Sequence, residues 1–113
     1  MRTICIKTRV KAQSIEDIRI WFKTIKKRMN ETLKTLENEG VFVESAFLDK
    51  QGGDYFLIYY LKAKNIKKAY EIFDKSTSPI DLYFKDCWKK YCEGREVLEE
   101  LMDIDLIGSI NHD

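Results

Sequence analysis

The chain has 113 residues, 44% of them hydrophobic and 35% charged, which fits one globular domain with its own core rather than a disordered segment. Its 20 basic and 19 acidic side chains leave a formal net charge of +1, so no global field draws nucleic acid or an anionic membrane. No stretch approaches the roughly 20 apolar residues of a membrane span, the basic start MRTICIKTRVK carries no continuous apolar run, and three cysteines are an odd number for a disulfide framework. The expectation is a cytoplasmic protein with reduced thiols and no membrane partner.

Residues 3–10, TICIKTRV, set Ile4, Ile6, Thr8 and Val10 against Thr3, Cys5, Lys7 and Arg9, the alternation of a half-buried strand. Ser14 with Asp17 three residues on resembles a capping box. Apolar residues then recur at 15, 18, 22, 25, 29, 33 and 36 up to Gly40, which predicts one long amphipathic helix closed by a glycine. VFVESAFL (41–48) and DYFLIYYL (54–61), separated by a turn through Gly52 and Gly53, predict an antiparallel hairpin. Asn65 caps a short helix with face Ile66, Ala69, Tyr70 and Phe73, ending near Lys75.

In "STSPIDLYFKDCWKKYC", Ser78, Pro79 and Asp81 form a helix start, with serine as N-cap, proline first in the helix and a carboxylate at the third position. That helix runs to Gly94, with Ile80, Tyr83, Phe84, Cys87, Trp88 and Tyr91 along its face. The last element, VLEELMDIDLI, carries both strand and helix spacing, and a strand from about 98 to 105 completes the order βαββαβ. The expected architecture is α+β, a ferredoxin-like sandwich over residues 1–107 whose four-stranded antiparallel sheet has helices on one face, followed by a flexible tail at 108–113. Both sides of the hairpin strands are apolar, so the face without helices would leave a large greasy patch. A homodimer through that open sheet face, enclosing a pocket, is the expected remedy.

The strings V-E-S-x-F-L (43–48), G-D-Y with I-Y-Y (53–60) and S-x-x-P-I-D-x-Y (76–83) resemble a family of small bacterial proteins known only as a domain of unknown function, grouped with ferredoxin-like, dimeric α/β-barrel folds. The resemblance covers nearly the whole chain and implies the fold, but no reaction. It also implies a histidine before the proline. This chain has Ser78 there, so any chemistry needing that histidine is absent.

The residues able to meet a small molecule are Lys7, Arg9, Glu44, Tyr59, Tyr60, Asp81 and Tyr83. Lys7 and Arg9 share one strand face, where Arg9 offers a two-pronged contact to an anion; an ion pair between Arg9 and Glu44 across the sheet is the plainer reading. Glu44 is a lone carboxylate in an apolar strand, the setting in which burial makes a general base. Tyr59 and Tyr60 point to opposite faces, so one looks into the pocket. Asp81 and its helix neighbour Tyr83 join the site only if the helix start faces the pocket.

No cofactor motif is visible: Gly52-Gly53 is a hairpin turn rather than a phosphate loop, and the single histidine, His112, lies in the tail, leaving Ser-His-Asp, Cys-His and haem chemistry without support. Cys87 and Cys92 stand about 140° apart around a helix and do not converge on a metal. Basic runs such as KTIKKR alternate with acidic residues and read as solvated helix faces. The expected function is binding of a small anionic or aromatic molecule, with a cofactor-independent enzyme of the monooxygenase or isomerase kind as the alternative.

Overall fold

The computed structural model describes residues 2–107, so the expected tail at 108–113, with His112, lies outside the described residues. The order is β1 (Arg2–Val10), α1 (Ile15–Lys27), α2 (Met29–Glu39), β2 (Val41–Gln51), β3 (Asp54–Ala63), α3 (Ile66–Lys75), α4 (Pro79–Tyr91) and β4 (Cys92–Val97). The strands form one antiparallel sheet in the order β2-β3-β1-β4. This is the ferredoxin-like α+β sandwich that the sequence predicts, with each half contributing a strand, a helical crossover and a second strand.

The alternation in β1 holds: Ile6, Thr8 and Val10 are buried, while Cys5, Lys7 and Arg9 share the other face. On β3, Leu57, Tyr59 and Leu61 lie opposite Thr8, Ile6 and Ile4 and point the same way. Around them Val10, Ile15, Ile18, Trp21, Leu57 and Cys87 make the main core, and Val41, Leu61, Ala63 and Ala69 a second one under α3. The hairpin closes through Gly52, whose φ of 62° is a left-handed backbone conformation that glycine adopts without a steric penalty.

Four expectations change. The long first helix is broken at Arg28 (φ −98°, ψ 46°). There the Arg28 N–H donates to the Thr24 and Ile25 carbonyls at 3.0 and 3.2 Å, and the Thr32 hydroxyl stands 3.0 Å from the Arg28 carbonyl and 3.2 Å from that of Ile25. Arg28 is held in its break by a two-pronged contact to Glu31, 2.8 Å on each arm. The last strand is not at 98–105 but at Cys92–Val97, directly after α4. Gly94 does not end the helix; with φ 75° it sits in the strand, where the register on β1 slips between Lys7 and Arg9. The buried Thr8 hydroxyl donates to the Gly94 carbonyl at 2.5 Å and fastens this bulge. The Ser14 cap is likewise absent: Ser14 belongs to a short 3-10 turn and makes no capping hydrogen bond. Asn65 does cap α3, accepting from the Lys68 N–H at 3.0 Å.

After β4 the chain passes along the open sheet face. Lys62, which points to that face, is only 3% exposed because Asp103 and Asp105 close over it. Leu101, Met102, Ile104 and Leu106 of the same strap are exposed, Leu101 at 88% and Ile104 at 79%.

Candidate functional site

A groove of about 1680 Å³ opens on the helix side of the sheet and around the β2 edge, rather than on the open face where a pocket was expected. Its walls are Phe22 from α1, Leu36 from α2, Tyr70 and Phe73 from α3, and Phe84 and Trp88 from α4, above Tyr59 on the sheet. The rings meet edge to face, Tyr59 to Phe84 at 5.6 Å and Tyr59 to Trp88 at 6.0 Å between centroids, an arrangement that fixes each ring against its neighbours.

Three carboxylates enter this apolar space. Glu44 arrives from β2 because the strand bulges between Val41 and Val43, which turns Glu44 toward the helices opposite Leu61 and beside Ala46 and Tyr59. The Tyr59 hydroxyl donates to Glu44 Oε1. Glu44 is open to solvent along the groove, yet burial among the walls still pushes its carboxyl up, the Tyr59 hydroxyl opposing and the Asp81 charge adding. Burial raises the Tyr59 phenol well above its ordinary range, and the neighbouring Glu44 charge raises it further, so Tyr59 remains a donor.

Glu39, the last residue of α2, is pushed up to about 7, chiefly by burial; Thr35 pulls it down, the Asp81 and Glu44 charges raise it, and Lys85 lowers it. Asp81, 3% exposed, lies in the first turn of α4 and gathers three hydroxyls: Thr35 at 2.7 and 2.8 Å to its two oxygens, Ser76 at 2.5 Å and Ser78 at 2.9 Å. Ser78 occupies the N-cap position ahead of Pro79, but its hydroxyl serves Asp81 rather than a backbone N–H. The helix start therefore faces the groove, the condition on which Asp81 was to belong to the site. Lys85 places its ammonium on the carbonyls of Asp74 and Ser76, both at 3.0 Å, and so is occupied by backbone.

Of the seven residues singled out in the sequence, the structure brings Glu44, Tyr59 and Asp81 to the groove. Tyr83 packs between α1 and α4, with the Arg28 guanidinium 5.9 Å from its ring. Lys7, Arg9 and Tyr60 lie on the opposite face of the sheet. Arg9 pairs with Asp54 at 2.6 Å and not with Glu44, since β3 separates β1 from β2; Lys7 stands 4.3 Å over the Phe56 ring. Glu39, Thr35, Ser76 and Lys85 were missed. Glu39 reads in the sequence as one more charge in the run before Gly40, and only the meeting of the α2 end with the α4 start gives it partners. Among the described residues no group of three metal-ligating side chains comes together, and no helix is long and apolar enough to cross a membrane.

The family described as "Family of unknown function (DUF6176)" matches residues 1–108. No curated protein matches the sequence. Among solved structures, the fold is similar to a candidate antibiotic biosynthesis monooxygenase from Nitrosomonas europaea (TM-score 0.57, 17% identity, 90% of this chain and 100% of that one). It is also similar to a de novo designed protein with a ferredoxin fold (TM-score 0.57, 19% identity, 92% and 91%) and to an uncharacterised NIPSNAP domain protein from Burkholderia xenovorans (TM-score 0.55, 11% identity, 92% and 100%). At these identities the likeness is one of fold.

Proposed function

Because the chain belongs to a family of unknown function (DUF6176) and inherits no reaction from it, we propose its function from the groove: it binds a small molecule with an apolar or aromatic body, held by the ring walls and oriented by Glu44 and Tyr59. The observation that carries this reading is a large, ring-lined groove with few polar groups converging at one end, the usual composition of a ligand site. Glu39, Glu44 and Asp81, with Lys85 held on backbone carbonyls, gather negative charge at one end of a groove lined elsewhere by Arg19, Lys23, Lys26, Lys67, Lys89 and Arg95, and that end disfavours an anionic group and favours a neutral one. The test is a thermal-shift panel of neutral aromatic probes. Stabilisation of the wild type that shrinks in Glu44→Gln and Tyr59→Phe, and persists in Lys7→Ala and Arg9→Ala, supports the reading. Equal loss in all four variants, or no shift with any probe, sinks it.

A second reading, a cofactor-independent enzyme moving a proton, is favoured by one observation: burial raises two neighbouring carboxyls of the groove, Glu44 and Glu39, the latter to about 7, where an acid or base works best. Turnover of an isomerisable neutral substrate that disappears in Glu44→Gln would distinguish it from binding alone.

The working form in this proposal is a homodimer in a bacterial cytoplasm. It is supported by three free cysteines, by the exposed Phe47 on the open sheet face, and by the strap at 98–107, whose acidic residues hold Lys62 while its apolar ones face outward. A stable dimer would bury on the order of 1,000 Å² or more. Sedimentation of a monomer at micromolar concentration would remove this part of the proposal.

A further inference from the structure

The Thr35 hydroxyl has one hydrogen and three carboxylate oxygens within reach: Glu39 Oε2 at 3.0 Å and both oxygens of Asp81 at 2.7 and 2.8 Å. A hydroxyl donates once. If Glu39 and Asp81 were both ionised, one of these contacts would set lone pair against lone pair with no hydrogen between, so the arrangement calls for one more proton.

Where that proton sits follows from the helices. Asp81 stands in the first turn of α4, the positive end of that helix, and already accepts from Ser76 and Ser78, with Ser76 Oγ itself accepting from the Ser78 N–H at 3.3 Å. Glu39 is the last residue of α2, at that helix's negative end, with Thr35 as its hydrogen-bonded partner and apolar walls around it. Both helix ends favour the same allocation, with the proton on Glu39. The groups facing Glu39 agree: Glu44 on β2 and Asp81 on α4 bring negative charge and Tyr59 on β3 is a neutral phenol, while the one cation, Lys85 on α4, is held by carbonyls. With the Thr35 hydrogen directed to Asp81, Thr35 accepts from Glu39, and its pull toward ionisation becomes support for the protonated form.

We propose that Glu39, Thr35 and Asp81 share a single proton that rests on Glu39, making Glu39 the donor of the groove and Glu44 its acceptor. The inference rests on the groove being the ligand site, and it narrows the ligand to a neutral molecule whose apolar body carries a carbonyl-type acceptor. Such a carbonyl takes up the Glu39 proton in place of Thr35, and the reaction class open to the pair is donation at one end of a ligand with abstraction at the other.

The direct test needs no ligand: the infrared carbonyl band of a protonated carboxyl, followed in the wild type from pH 5 to 9, with side-chain carboxyl carbon NMR assigning it. The expected result is a band that persists at pH 6 and fades with a midpoint near 7, assigned to Glu39 and missing from Glu39→Gln. An ordinary glutamate midpoint for Glu39, or a persistent proton on Asp81, overturns the proposal. The ligand arm compares 2-acetylnaphthalene with 2-ethylnaphthalene, alike in shape and differing in the acceptor. At pH 6 the ketone should bind about 3- to 10-fold more tightly, the worth of one neutral hydrogen bond. That preference should vanish at pH 8.5 in the wild type and survive in Glu39→Gln, whose amide remains a donor. A preference indifferent to pH in the wild type overturns the donor role. If neither probe binds while Glu39 titrates near 7, the groove reading fails and the shared proton stands.

Discussion

Glu39→Gln should make the protein more stable above neutral pH. A carboxyl raised in the folded state contributes stability that is complete below its unfolded value and is lost as pH climbs through the folded one. For Glu39 the window runs from the ordinary 4.5 to about 7. At about 1.4 kcal/mol per tenfold change in proton affinity, the loss is at most about 3.5 kcal/mol. Solvent along the groove screens part of it, so about 1–2 kcal/mol is expected. Glutamine keeps the volume and can still hydrogen-bond Thr35, but it does not titrate. Urea unfolding followed by fluorescence of Trp21 and Trp88 at pH 5 and pH 8 measures the difference. The gap between variant and wild type should widen in the variant's favour from pH 5 to pH 8. Parallel profiles would show that Glu39 ionises as it does in water and refute the reasoning from burial and helix ends. Glu44, also raised, slopes the same way in both proteins and cancels in the comparison.

Leu57→Ala removes a fully buried side chain from the central strand β3 and should cost about 2–5 kcal/mol in urea unfolding; a loss under 1 kcal/mol would contradict the assignment of the core. Gly94→Ala meets no atom within 4 Å of the new Cβ, so its expected cost of about 1–2 kcal/mol comes only from φ 75°, and a neutral result would mean the bulge relaxes. Burial pushes the Cys92 thiol up to about 12 and raises Cys87 as well, so iodoacetamide at pH 8 should label both in the native protein far more slowly than in urea; equal rates would count against that burial. Lys62→Met leaves Asp103 and Asp105 facing each other without their cation, and hydrogen exchange at residues 98–105 should rise while β1 to β3 stay protected.

What was legible in the sequence was what local chemistry decides. Alternation in 3–10, aromatic and β-branched runs around Gly52-Gly53, the Asn65 cap and the Pro79 start each translate into an element at the expected place. Two of the misreadings, Gly94 and the last strand, share one cause, a local signal overridden by a distant partner. Gly94 looks like a helix stop because glycine often is one; it sits in a bulge whose carbonyl accepts from the Thr8 hydroxyl, 86 residues away in sequence. The apolar stripe at 15–36 runs through Arg28 without a proline or glycine, so nothing in the local sequence marks the break that Arg28 makes there, where its side chain is held by Glu31. The alternating residues after 97 have the right period for a strand, but that edge of β1 is already occupied by Cys92–Val97.

The site depends on one inserted residue. With Val41 on the helix side of β2, strict alternation would send Val43 and Ser45 inward with it and turn Glu44 out to the open face. Instead Val41 lies opposite Ala63 and Val43 opposite Lys62, two steps on β2 for one on β3. From there on, the even-numbered residues Glu44, Ala46 and Leu48 share the face of Leu61, Tyr59 and Leu57. The slip places a carboxylate where an aliphatic side chain would complete the core, directly beside a tyrosine hydroxyl that can receive it. Glu44 stays open to solvent along the groove, so its carboxylate keeps water on one side and takes the phenol hydrogen on the other. A bulge that turns a charge into an apolar groove, at an edge strand open to solvent, is something the pairing of the sheet does not itself require, and it is the feature on which the proposal of a ligand in the groove stands.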